Sequence, residues 1–139
     1  ARGARSLRGG DPCPCGSSAS YQDCCGRLHR GEAQARTAEE LMRSRFSAFA
    51  VQDAAYLLKS WHPSTRPARI DFEPGMRWER LDIVRAEEGS PFHTKGMVEF
   101  RAHYVQGGRK SELHEISRFV RHDGAWVYLS GVSGGGLPR

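Results

Sequence analysis

Apolar positions fall into two stretches with different periods. Between Thr37 and Pro67, Leu41, Met42, Phe46, Phe49 and Ala50 recur at helical spacing and make one apolar face. Thr37-Ala38-Glu39-Glu40 in front of them reads as a capping box, with Thr37 as N-cap and Glu40 reaching back from the third helical position. Asp53 can cap a second, shorter helix carrying Tyr56, Leu57 and Leu58. That helix must stop near His62, because Pro63 disfavours helix in the residue before it. Trp61-His62-Pro63-Ser64-Thr65-Arg66-Pro67 then reads as a rigid turn rich in hydrogen-bonding groups. From Trp78 on, the period changes to two and glycine-bearing turns appear. This pattern predicts four strands, at 78–86, 95–105, 110–121 and 125–132.

Two turn signals fix the register. A two-residue loop at Gly107-Gly108 sets Gln106 opposite Arg109, Ala102 opposite Leu113 and Phe100 opposite Glu115. A second at Asp123-Gly124 sets Val120 opposite Val127 and Phe119 opposite Tyr128. Directly opposed residues share a face. One face therefore collects Val98, Phe100, Ala102, Tyr104, Leu113, Phe119, Trp126 and Tyr128, and must be the inward one. The other collects Glu99, Arg101, His103, His114 and Arg118, with Ile116, Val120, Val127 and Leu129 towards one end. A slip of one residue in either hairpin would break the agreement. Two helices on a curved antiparallel sheet make an α+β architecture.

Glu115 and Ser117 interrupt the apolar face. A buried carboxylate must be paired, protonated or open to a wet cavity. One reading is an ion pair from Glu115 to Arg66 or Arg45 that fastens helices to sheet. The other is a ligand pocket closed by Trp61, His62 and Arg66. There Glu115 or His62 would move a proton, and Tyr104, Tyr128, Ser117 and Arg66 would orient a polar or anionic ligand.

The chemistry nearer the start is sulfur. All four cysteines, Cys13, Cys15, Cys24 and Cys25, lie within Asp11–Gly26. They could form two disulfides or hold one metal ion. Adjacent cysteines bridge only with strain, whereas four thiolates suit a tetrahedral ion, commonly zinc. A site closed by four sulfurs leaves no position for water and is structural. The formal charge is +5, which permits contact with RNA or an acidic surface without demanding either. No stretch resembles a signal peptide or a membrane span, so a cytoplasmic protein is expected. Residues 1–10 read as a mobile basic arm and 133–139 as a flexible tail. His29 reads as a surface residue, His93 and His122 as turn residues, and Trp78 as packing.

Cys13-Pro14-Cys15-Gly16-Ser17, then Tyr21 and Cys24-Cys25-Gly26, resembles the SEC-C motif, a small zinc-binding module of bacterial proteins. The resemblance implies that Cys13, Cys15, Cys24 and Cys25 are the zinc ligands. Phe46-Ser47-Ala48-Phe49, the Trp61–Pro67 string and the stretch Glu115–Tyr128 resemble the YchJ family. That resemblance implies a zinc knuckle over 11–32, followed over 33–132 by a nuclear transport factor two-like (cystatin-like) cone. Three functions are then expected in turn. The first is an adaptor whose knuckle docks on a protein or ribosomal partner. The second is a small-ligand site or acid/base enzyme in the cone. The third is nucleic-acid binding through the arginine-rich arm and through Arg101, Arg118, His103 and His114. By analogy with such cones, the outer sheet face carrying Ile116, Val120, Val127 and Leu129 would suit a homodimer.

Overall fold

The computed structural model describes residues 4–134. After a single 3-10 turn at Tyr21–Asp23 come three helices, α1 (Cys25–His29), α2 (Ala38–Val51) and α3 (Ala54–Lys59). Four strands follow, β1 (Met76–Glu88), β2 (Lys95–Gln106), β3 (Arg109–His122) and β4 (Ala125–Ser133). They pair antiparallel in the order β1-β2-β3-β4. The architecture is therefore α+β, helices on one antiparallel sheet.

α2 starts where the capping box places it. Thr37 Oγ1 accepts from the Glu40 N–H at 3.0 Å, but Glu40 Oε1 accepts from Arg36 N–H rather than from the cap residue. Asp53 caps α3 by accepting from Tyr56 N–H. α2 is buried on nearly every side: Leu41, Met42, Phe46 and Ala48 are buried, and so are Ser44, Arg45 and Ser47. The sheet lies against one flank and the cysteine segment against another. This explains why its polar residues are buried as well as its apolar ones.

Both hairpins have the expected register: Gln106↔Arg109, Ala102↔Leu113 and Phe100↔Glu115 in one, Val120↔Val127 and Phe119↔Tyr128 in the other. Val98, Phe100, Ala102, Phe119 and Trp126 are buried with Leu41, Met42 and Phe46 in the main core, and Leu113 and Tyr128 pack at its edge. Irregularities at Trp78/Arg80, Ile83/Arg85 and Arg118/Phe119 bend the sheet. Val84 falls in one of them and is exposed.

Three expectations need correcting. Val127, assigned to the outer face, is buried beside Leu28, Tyr56 and Ser60, because residues 60–62 run along the β4 edge. There Tyr128 N–H donates to Ser60 O and His62 N–H to Tyr128 O, both at 2.8 Å. The basic arm is tied at two points: Arg5 N–H donates to Ala50 O, and Gly9 O accepts from Gln22 N–H. Ser133 belongs to β4, and Gly134 N–H donates to His114 O. The remainder of the expected arm and tail, 1–3 and 135–139, lies outside the described residues.

Candidate functional site

The four cysteine sulfurs meet at one point, all within 4.8 Å of one another. All four are free, and Cys15 Sγ and Cys24 Sγ stand 3.6 Å apart, far beyond a disulfide bond. Sulfurs at about 2.3 Å from a tetrahedral zinc lie about 3.8 Å from each other. The donor set and spacing therefore fit a zinc ion. The three buried sulfurs, Cys13, Cys15 and Cys25, share their protons unequally. Hydrogen bonds from Cys15 and then Cys25 hold Cys13 far below the ordinary thiol range, against the cost of burial. The bond to Cys13 keeps Cys15 a thiol, pushed up to about 11, and Cys25 is pushed up further for the same reason. Ionising Cys15 and Cys25 together with Cys13 at neutral pH needs a positive centre.

The cysteine segment is built into the domain rather than hung from it. Arg43 Nη1 donates to Cys15 O at 2.6 Å, and Ser47 Oγ lies 3.5 Å from Cys13 Sγ. Leu28 joins Ala48, Tyr56 and Leu57 in a second core. His29, expected at the surface, is a half-buried wedge. Its Nε2–H donates to Ser44 O at 2.8 Å, so Nδ1 must accept from the Tyr21 hydroxyl at 2.6 Å. Its ring also lies against Tyr56. Only the folded chain brings positions 21, 29, 44 and 56 together, and nothing local marked His29.

A cavity of about 260 Å³ opens between α2 and the sheet. Met42, Arg45, Phe46 and Phe49 of α2 form one wall; Phe100, Ala102, Leu113, Glu115 and Ser117 form the other; Trp61, Trp78 and Tyr128 complete it. Of the residues expected there, Trp61, Glu115, Ser117 and Tyr128 line the cavity. Tyr104 does not: it packs on Trp78, with ring centroids 5.0 Å apart. His62 and Arg66 do not either. The Trp61–Pro67 turn closes on itself, with Ser64 N–H donating to His62 Nδ1 and Arg66 Nε and Nη2 donating to Trp61 O. Trp78, expected only to pack, is a wall.

Arg66 is turned to the Trp61 carbonyl. Arg45 donates through Nη1 to Leu57 O at 2.8 Å and Ser60 Oγ at 2.7 Å. Glu115 does accept from Ser117 Oγ at 3.3 Å, and its charge acts on Arg45. The Arg45 guanidinium lies against two rings, 5.0 Å from the Trp61 centroid and 4.7 Å from that of Tyr128, and the rings themselves meet edge to face. Burial lowers its pKa to about 10, so it stays charged at neutral pH. Sequence reasoning placed Arg45 only as a partner for Glu115. Its position on a helix flanked by apolar residues was the available signal.

The outer sheet face is a lattice of arginines and histidines set against carboxylates. Arg101 meets Glu112, His103 meets Asp82, and His114 meets Glu99, which also holds Arg85. Of the sheet residues named for nucleic-acid binding, Arg101, His103 and His114 have these partners and Arg118 is exposed. Among the described residues no helix is long and apolar enough to cross a membrane.

A four-cysteine knuckle packed on the long helix of a cone-shaped α+β domain defines a class of protein. The SEC-C motif matches residues 11–27, and the family described as "YchJ, middle NTF2-like domain" matches residues 37–131. The chain belongs to the YchJ family, whose curated members carry the name UPF0225. It is 61% identical over 120 residues to a UPF0225 protein of Streptomyces coelicolor, covering 86% of this chain and 94% of that one. A UPF0225 protein of Corynebacterium glutamicum is 47% identical over 122 residues, covering 88% and 97%. The fold is similar to the solution structure of a SEC-C motif containing protein from Rhodopseudomonas palustris, with TM-score 0.76 and 31% identity over 87% of this chain and 97% of that one. It is also similar to the crystal structure of a SEC-C motif containing protein from Psychrobacter arcticus, with TM-score 0.74 and 27% identity over 90% and 84%.

Proposed function

We propose that the protein binds a small molecule in the cone cavity, and that a structural zinc ion at Cys13, Cys15, Cys24 and Cys25 braces the wall from behind. One observation carries the reading: a cavity of about 260 Å³ keeps a charged arginine, a carboxyl and a hydroxyl among aromatic walls. A pocket of apolar rings with a few convergent polar groups is the usual form of a ligand site. Binding is favoured over acid/base catalysis, because His62, one of the two residues considered for moving a proton, is held by Ser64 in its own turn and does not line the cavity.

The test is a fragment titration of the zinc-loaded chain followed by ¹H–¹⁵N spectra. The Trp61 and Trp78 indole signals should move together for the same compounds, and Glu115→Gln should change the affinity of those with polar heads. Fragments that move only signals outside the cavity would overturn the reading.

The SEC-C match supports a second reading, in which the exposed side of the knuckle, around Ser17, Gln22 and Asp23, docks on a protein or ribosomal partner. Because the cysteines are integrated into the α2 packing, cysteine variants would confound that test. Capture from lysate should instead compare the native chain with Gln22→Ala/Asp23→Ala. Identical captured proteins would remove the docking idea.

A further inference from the structure

The hydrogen bonds of Arg45 are lopsided. The residue is only 4% exposed, yet both of its bonds leave from Nη1, to Leu57 O and Ser60 Oγ. Nε–H and the two Nη2 hydrogens have no oxygen partner among the described residues. The open space at this side chain is the cavity that Arg45 lines. Beside them, Trp61 Nε1–H is buried without an acceptor among the described residues, and its ring lies on the same guanidinium. Buried donors left unmet are costly and rare in native proteins. A purely structural arginine would be expected to turn both edges to carbonyl oxygens, as Arg121 does. That residue spreads Nε, Nη1 and Nη2 over His93 O, Gly124 O and Pro91 O.

The unmet edge has a definite chemistry. Nε–H and Nη2–H are parallel donors spaced to match the two oxygens of a carboxylate. The Trp61 and Tyr128 rings hold the guanidinium plane in place, so little side-chain freedom remains to be lost on binding. Around this edge the walls are aromatic or aliphatic. The opposite, sheet-side wall adds an acceptor, Glu115, which already takes the Ser117 hydroxyl.

We propose that Arg45 anchors the carboxylate of a small aromatic monocarboxylic acid in the cone cavity, with a hydroxyl or amino donor on the acid's ring directed to Glu115. This deepens the cavity reading above and rests on it. Arg45 does two things at once: Nη1 fastens α2 to the end of α3, and the Nε/Nη2 edge serves the ligand. The aromatic walls take the ring of the acid, and the charge-assisted fork selects the acid over its neutral amide.

The test uses matched probes on the zinc-loaded full chain, 4-hydroxybenzoate against 4-hydroxybenzamide, with benzoate as a third. Affinities come from NMR titration, watching the Arg45 Nε–H resonance and the Trp61 and Trp78 indoles. The acid should bind at least about tenfold more tightly than the amide, the worth of one charge-assisted hydrogen bond. It should shift the Arg45 Nε–H signal, and 4-hydroxybenzoate should bind more tightly than benzoate. Arg45→Lys should weaken acid binding about tenfold, whereas Arg66→Lys, outside the cavity, should not. Should Arg45→Lys fail to fold, the acid–amide comparison and the Arg45 signal in the native chain decide alone. Amide and acid binding equally at the two indoles would overturn the anchor and leave the cavity reading standing. No probe moving either indole would overturn both.

Discussion

Filling the cavity tests the central observation with a change whose sign is fixed in advance. Ala102 is 3% exposed, sits on the inner face of β2 and lines the open space beside Phe100 and Leu113. Ala102→Leu adds three carbons, worth about 2.4 kcal/mol at about 0.8 kcal/mol per buried methylene. Some of that is lost, because the new side chain displaces water from the neighbourhood of Arg45 and Glu115 and itself loses rotamer freedom. A net gain of about 1 kcal/mol is expected. A tightly packed interior at the same position would instead be overfilled and lose about 1–3 kcal/mol. Urea unfolding at neutral pH with excess zinc, fitted with a common slope, separates the two outcomes. A midpoint shift to higher urea agrees with an open cavity, and binding of 4-hydroxybenzoate should fall in the same variant. Loss of more than about 1 kcal/mol with an unchanged slope would refute the cavity as a space available to a ligand.

Three further outcomes follow from the geometry. Purified under reducing conditions, the chain should carry one zinc per molecule by metal analysis, and chelation should lower the thermal midpoint. At a free zinc concentration a thousandfold above the dissociation constant, the lost stabilisation is about 4 kcal/mol; an unchanged midpoint after complete zinc removal would refute the brace. His29→Phe keeps an aromatic ring but removes the side-chain bond to Ser44 O and strands the Tyr21 hydroxyl, costing about 1–3 kcal/mol in urea unfolding. A neutral result would show that the wedge contributes only packing. Glu99 has its carboxyl held below the usual range, first by the hydrogen bond from Arg85 and then by that from His114. Its stabilisation is therefore complete above the unfolded value near pH 4.3 and is lost as pH falls through the lower folded value. Glu99→Gln should be less stable than the native chain at pH 6, and the gap should close as pH falls below about 4; a gap independent of pH would refute the assignment.

The sheet was legible because its information is local. Gly107-Gly108 and Asp123-Gly124 fix two hairpins, and a period of two then assigns Val98, Phe100, Ala102 and Phe119 to one face without reference to anything distant. The knuckle was legible for a related reason: four cysteines in one short segment have few other uses. Thr37 and Asp53 mark helix starts by the same short-range chemistry. Where the sequence failed, the deciding contact lay far along the chain. His29 becomes a wedge only when Ser44 and Tyr56 arrive on other helices. His62 and Arg66 turn away because their own loop satisfies them first, an outcome that composition does not rank. Val127 is buried by residues 60–62 running beside its strand, not by any property of that strand.

The sequence by itself determined the strand register, the helix starts and the clustering of sulfur, since each depends on spacing within a few residues. Tertiary structure alone decided that α2 has two working sides. Ser47 and Arg43 face the cysteine segment while Arg45 and Phe46 face the cavity, and whether a buried arginine is fully satisfied depends on which carbonyls the rest of the chain brings to it.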